Sequence, residues 1–284
     1  MLLEHTLFGV VDKVAMAIER IKAFEPEDGY HLAFSGGKDS VCVYYLAKEA
    51  GVRFQARYNH TTVDPPELVY FIRERFPDVQ TVYPKEYMWE LIVRHKIPPT
   101  RRIRYCCADL KERRTGEETV SLTGVRWAES HKRRTGRGLL ELNVYQKNRI
   151  VMLNDNEENR RMFETCSVKG RHVVNPIVDW TDAEVWEYIK TRNLPYCKLY
   201  DCGFKRLGCI GCPLSGGKHM RWELERYPKY QQAYLRAFDR MLAARRSAGL
   251  HPCWRDGAEV MAWWLGGKTM RPKDQLSLWD GLDV

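Results

Sequence analysis

The chain has 284 residues, 44% hydrophobic and 29% charged; this length fits one large domain or a main domain with an appendage, and the balance excludes wholesale disorder. Forty-six Lys and Arg against 37 Asp and Glu leave a net charge of +9, which favours nucleotides, nucleic acid or an acidic protein as partners without choosing among them. No run of eighteen apolar residues argues for a membrane span, and MLLEHTLFGVVDK lacks the basic start and cleavage site of a signal peptide, so a cytoplasmic protein without membrane contact is expected.

Apolar positions at helical spacing predict an amphipathic helix over residues 8–24. Residues 30–34 read as a buried strand that runs into a Gly-rich turn, and 38–50 as a helix stopped by Gly51. Strands are expected at 52–58, 79–83 and 119–125, and helices at 66–76 and 87–96. This alternation predicts an α/β fold, a Rossmann-like parallel sheet with helices on both faces. Residues 131–176 break the rhythm: a basic loop, a hairpin from 139–144 and 149–153, and a polar solvent-facing stretch. Thr181 with Glu184 three residues on is a helix start signal. Residues 219–247 predict a long helix or helix pair, and the Trp-rich tail shows no period. The expected organisation is a nucleotide-binding domain over 1–218, with an insert at 131–176 and a Cys-rich segment at 197–212, then a helical extension over 219–284.

The sharpest motif is Ser35-Gly36-Gly37-Lys38-Asp39-Ser40 between strand and helix. Its glycines let backbone N–H groups approach a ligand, the helix start adds partial positive charge, Lys38 a full charge, and the serines donors. Such a pocket suits a phosphate or sulfate, although a plain turn also uses Gly and Ser. It is not a Walker A loop, and Gly216-Gly217-Lys218 and Gly266-Gly267-Lys268 read as turns. The string resembles the PP-loop of the adenine nucleotide alpha-hydrolase superfamily. Gly124-Val125-Arg126 with Glu129-Ser130 resembles the second anion-binding segment of the PAPS reductase branch. Val174-Asn175-Pro176-Ile177, Asp179-Trp180-Thr181 and Val185-Trp186 resemble its next block. The likeness runs from about residue 28 to 214. It implies an adenine nucleotide as substrate (PAPS, adenylyl sulfate or ATP), held by residues 35–40 and Arg126, with Lys38 and Arg126 among the catalytic groups.

Nine cysteines in a reducing compartment are more often buried, metal-bound or catalytic than paired. Cys106-Cys107 and the Cys209-x-x-Cys212 pair stand 101 residues apart. Sulfonucleotide reductases with a [4Fe–4S] cluster resemble this pattern, which implies Cys106, Cys107, Cys209 and Cys212 as its ligands; divergent corners of a multi-iron cluster can accept adjacent cysteines. A rival set of Cys197, Cys202, Cys209 and Cys212 spans sixteen residues and suits zinc, and reduced structural thiols are a third reading. Cys42 reads as core and Cys166 as structural.

Sulfonucleotide reductases also use a C-terminal Glu-Cys-Gly-x-His nucleophile, which this sequence lacks. Cys253, between His251 and Arg255, is the replacement the resemblance asks for; a packed helix-end cysteine is the plainer reading. Residues 94–114 hold eight Lys or Arg against two acids, and 126–137 five against one. These runs read as solvated faces, as phosphate grips or as a nucleic-acid surface; Trp127 can stack or pack. Three functions follow. One is a sulfonucleotide reductase served by a thioredoxin-like reductant. Another is an ATP pyrophosphatase that adenylates an acceptor for sulfur transfer, as in DNA phosphorothioation or tRNA thiolation, with nucleic acid as partner. The third is a non-catalytic nucleotide and cluster sensor. A homo-oligomer is compatible with all three.

Overall fold

The structure is a computed structural model that describes residues 1–7, 9–112, 120–142, 150–153, 172–250 and 254–266. The chain forms two compact units, one of residues 1–59, 66–82 and 115–207, the other of 60–65, 83–114 and 208–284. The second unit draws on three separate stretches of the chain.

The first unit holds a seven-stranded sheet. Its strands are β3 (Tyr30–Phe34), β4 (Phe54–Asn59), β5 (Gln80–Val82), β6 (Val120–Leu122), β7 (Leu140–Leu142), β8 (Ile150–Met152) and β9 (His172–Val174), in the order β5-β4-β3-β6-β9-β7-β8. The run from β5 to β9 is parallel, while β7 pairs antiparallel with both β9 and β8. The expected hairpin thus extends the sheet at one edge, with its turn, residues 143–149, outside the described residues. Helices cover both faces. Among them, α2 (Lys38–Ala50) packs on α1 (Lys13–Ala23) and on a helix over Asp182–Thr191. α3 (Pro66–Arg75) is built from an apolar stripe that buries Leu68 and Ile72. Phe34, Tyr44 and Phe76 stack edge to face at centroid distances of 4.8–5.6 Å, a favourable arrangement for aromatic core side chains.

One expectation fails at the start of the chain. The first turn of the predicted 8–24 helix is a strand, β2 (Gly9–Asp12), paired antiparallel with β1 (Leu3–Thr6). The β-branched Val10 and Val11 suit a strand. Asp12 then caps α1 by accepting from the N–H groups of Val14 and Ala15, so the helix begins only after it.

The second unit is helical. α4 (Met88–His95) leads to a helical turn at Tyr105–Cys107 and a π-helical turn at Ala108–Glu112. The short basic helix α5 (His131–Gly136) and α6 (Asp182–Thr191) belong to the first unit; α7 (Gly217–Arg226), α8 (Pro228–Ser247) and α9 (Gly257–Trp264) complete the second. Pro228 at the first position of α8 separates it from α7, giving the helix pair that is one of the two forms expected over 219–247. Tyr234, Phe238 and Trp264 form its core with Trp89, at centroid distances of 4.8–5.9 Å.

Candidate functional site

Strand order reverses direction between β3 and β6, since β4 lies on one side of β3 and β6 on the other. Ligands of open α/β sheets bind at the carboxyl ends of the strands at such a point. Residues 35–40 follow β3, and residues 124–126 follow β6. Gly36 has φ +69°, and a Cβ there would lie 2.7 Å from Leu68 Cδ1; only glycine fits. A Cβ on Gly124 would lie 2.8 Å from the Asp39 carbonyl carbon, which measures how closely the β6 segment meets the start of α2.

Ser40 ties the turn together. Its Oγ donates to Gly37 O (2.8 Å), accepts from the Ser35 N–H (3.2 Å), and lies 3.2 Å from Ser35 Oγ. Gly37 is the N-cap of α2 and supplies no side-chain cap, which leaves N–H groups of the first turn for an anion. One of them, Lys38 N–H, donates to Tyr200 Oη at 2.9 Å. Burial raises the Tyr200 pKa, so it remains a neutral hydroxyl.

Charge at the site is paired. Lys38, 5% exposed, sets Nζ 3.1 Å from both Asp39 Oδ2 and Asp182 Oδ1. Arg126, 1% exposed, donates from Nε to Asp39 (2.7 Å), from Nη1 to Trp180 O (3.1 Å) and from Nη2 to Asp182 (2.5 Å). Burial works against the Asp182 carboxylate, but the Arg126 hydrogen bond and the Lys38 charge hold its pKa below the usual range. Arg126, with all three guanidinium nitrogens engaged, braces Asp39 and Asp182 beside the turn. Nearby, Arg133 pairs with Glu129. Burial first, then the charges of Arg206 and Arg137, lower the Arg133 pKa to about 10. Crowded guanidinium groups of this kind favour an anion among them. Arg20 grips Asp179 with two 2.9 Å bonds and donates to Pro176 O at 2.8 Å, which fixes the loop between β9 and α6.

Four of the cysteines, Cys106, Cys107, Cys209 and Cys212, lie in the second unit. Hydrogen bonding with Cys107, then burial, then the charges of Cys107, Cys209 and Cys212 raise the Cys106 pKa. The bond from Cys106 lowers that of Cys107 against the cost of burial, aided by Arg104 and Lys111. One proton shared between adjacent sulfurs explains both directions. Cys209 Sγ donates to Thr61 Oγ1 (3.4 Å), and burial raises its pKa while Lys111 opposes. The Cys209 charge in turn raises the Lys111 pKa. The π-helical turn directly after Cys107 brings Lys111 to this group; such turns often mark functional sites. Among the described residues, no three His, Cys, Asp or Glu side chains are gathered closely enough to hold one metal ion.

The structure thus brings residues 35–40 and Arg126 together in the first unit; in the second, Cys106 hydrogen-bonds with Cys107 and feels the charges of Cys209 and Cys212. Of the rival set, Cys197 is buried and Cys202 exposed, both in the first unit. Cys42 is fully buried on α2. Cys166 and Cys253 lie outside the described residues. Trp127 donates from its indole to Arg137 O (2.8 Å). Sequence reasoning missed Tyr200, Asp182, Thr61 and Lys111 as site residues. Asp182 was visible only as the first residue of a capped helix, and Tyr200 carried no signal at all.

The profile of the phosphoadenosine phosphosulfate reductase domain matches residues 29–215. Over 210 residues the chain is 28% identical to an uncharacterized protein of Methanocaldococcus jannaschii, covering 70% of this chain and 39% of that one. Over 39 residues it is 54% identical to the adenosine 5′-phosphosulfate reductase of Oceanobacillus iheyensis, covering 14% and 16% of the two chains. The chain spans less than half the length of these curated relatives. A solved phosphoadenylyl-sulfate reductase of Candida auris aligns with TM-score 0.47 at 17% identity, covering 69% of this chain and 89% of that one.

Proposed function

The chain belongs to the phosphoadenosine phosphosulfate reductase domain family, and we propose that it reduces a sulfonucleotide, adenylyl sulfate or its 3′-phosphorylated form, to sulfite. The observation that carries this reading is the uncapped glycine turn at the sheet's switch point, with Lys38 buried beside it. In this reading the turn and Lys38 hold the anionic groups of the nucleotide. Arg126 keeps Asp39 and Asp182 in place, and the Arg133 group meets further anionic oxygens. A thiolate, assigned to Cys253, attacks the sulfur. The bond from sulfur to the phosphate oxygen breaks, and AMP or its 3′-phosphate leaves. A thioredoxin-like dithiol then displaces sulfite from the enzyme thiol and ends as a disulfide.

Cys106, Cys107, Cys209 and Cys212 would hold a [4Fe–4S] cluster. The chemistry of the donor set suits it: all four are thiols, and the diverging corners of a multi-iron cluster can accept the adjacent pair Cys106-Cys107. When bound, the cluster supplies a fixed charge centre rather than turning over electrons.

The second reading is an adenylating ATP pyrophosphatase that passes sulfur to DNA, RNA or a small molecule. It is favoured by the long match to a protein of unassigned activity, where the reductase matches span only short segments. An anaerobic product assay separates the two. ATP, adenylyl sulfate and its 3′-phosphorylated form are offered with thioredoxin, and sulfite is scored against pyrophosphate. Sulfite that disappears in Cys253→Ser is the expected result. Pyrophosphate from ATP without sulfite rejects reduction in favour of acceptor adenylation, and no turnover of any adenylate leaves the sensor reading.

A further inference from the structure

Besides the bond from Cys209 Sγ to Thr61, three bonds that use no sulfur hold the turn over residues 209–212. Ile210 N–H donates to Val63 O (2.8 Å), Tyr234 Oη donates to Ile210 O (2.9 Å), and Gly211 N–H donates to Glu223 Oε2 (2.9 Å). Gly211 sits at φ +72°, and a Cβ there would lie 2.9 Å from Trp264 Cη2. The turn is thus wedged between an aromatic wall and three fixed partners.

Glu223 is the partner that packing alone does not explain. Its side chain, on α7, is 4% exposed. Its other polar neighbour is His219 Nε2 at 3.3 Å, whose pKa burial lowers, so that ring is a weak source of positive charge. Burial pushes the Glu223 carboxyl up to about 7, against the pull of Gly211 N–H. A buried carboxyl without a strong cationic partner is costly. Hydrogen bonds and charge around cluster sulfurs set cluster stability and potential, and an N–H taken by Glu223 is an N–H withheld from a sulfur.

We infer that Glu223 is a positioning residue for the thiol site: by accepting from Gly211 N–H it fixes the direction in which Cys209 and Cys212 present their sulfurs. This rests on the cluster reading above. The test uses the full chain, reconstituted anaerobically with iron and sulfide. The readouts are iron and sulfide content, and the rate at which a chelator bleaches the cluster absorbance. Glu223→Gln keeps an acceptor and is expected to match the wild type within about twofold. Glu223→Leu removes the acceptor and is expected to lose iron at least tenfold faster, while nucleotide binding in the first unit is kept. Should the leucine variant not fold, Glu223→Asp, which shortens the reach, is read the same way. Equal bleaching rates in all variants overturn the inference. So does a Gln variant as labile as the Leu or Asp variant, since charge rather than acceptance would then matter. Wild type that takes up no iron overturns the cluster reading itself, and the two failures are distinct.

Discussion

Gly36 shows how much of the nucleotide site rests on single atoms. Its positive φ and the 2.7 Å approach to Leu68 leave no room for a methyl group. Gly36→Ala is therefore expected to cost about 1–3 kcal/mol of stability, read by urea denaturation. It should also weaken adenine nucleotide binding at least tenfold by titration calorimetry, because the N–H groups of the turn lose their aim. Arg126 makes a similar case through charge. Lysine in its place keeps the positive charge but cannot reach Asp39, Asp182 and Trp180 O together, as the guanidinium does. Arg126→Lys should cost roughly 1–3 kcal/mol and raise the nucleotide dissociation constant; unchanged affinity would show that the brace is not needed for binding. These two residues were legible in the sequence because they lie inside compact motifs. Tyr200 and Thr61 were not, since each reaches its partner, Lys38 N–H or Cys209, across more than a hundred residues.

At the scale of elements, α6 is the clearest case of a helix specified by its own first turn. Thr181 N–H donates to Glu184 Oε2 (2.7 Å) and Thr181 Oγ1 accepts from Glu184 N–H (3.3 Å), the reciprocal box that the sequence announced. Glu184 also receives a 2.7 Å bond from Lys13 on α1. Burial opposes its charge, yet the Lys13 and Thr181 bonds hold its pKa near 2, below the free value of 4.5. A folded-state pKa lowered in this way gives stability that is complete above pH 4.5 and is lost as pH falls toward 2. Glu184→Gln should remove roughly 1–3 kcal/mol at pH 7 and flatten the acid limb of the stability profile between those values; an unchanged acid limb would place that loss elsewhere. The strands and helices from 30 to 96 were read within a few residues, because each buries a regular apolar pattern. The first hairpin was misread because Val10 and Val11 satisfy a helical stripe as well as a strand, and only pairing with β1 decides. α9 lies within the helical extension expected over 219–284, but its bounds were not read: its Trp, Met and Val side chains erase a clear period.

For the whole molecule, the two units predict two independent protection patterns. A bound adenylate should slow amide exchange in residues 30–59 and 120–126, and iron loading should slow it in 60–65, 88–112 and 208–226. Hydrogen exchange read by mass spectrometry checks both, and protection that appears elsewhere would move the sites. The candidate nucleotide site was readable because its motifs directly follow β3 and β6, strands that are neighbours in the sheet. The joint thiol site proposed above comes through resemblance alone: nothing local in Tyr105-Cys106-Cys107 or Cys209-Ile210-Gly211-Cys212 ties one pair to the other. Both pairs belong to the second unit, which the chain visits three times.

That repeated visit would give a metal-loaded thiol site a role in the disordered chain as well as the folded one. A metal centre that joined Cys107 to Cys209 would close a loop with 101 residues between its ends, and within it lie strands β6 to β9 and helices α5 and α6. A cross-link over about 100 residues lowers the entropy of the unfolded chain by about 4–5 kcal/mol at room temperature. The site would thus act as a knot on the sheet, narrowing the random conformations open to strands that supply it no ligand.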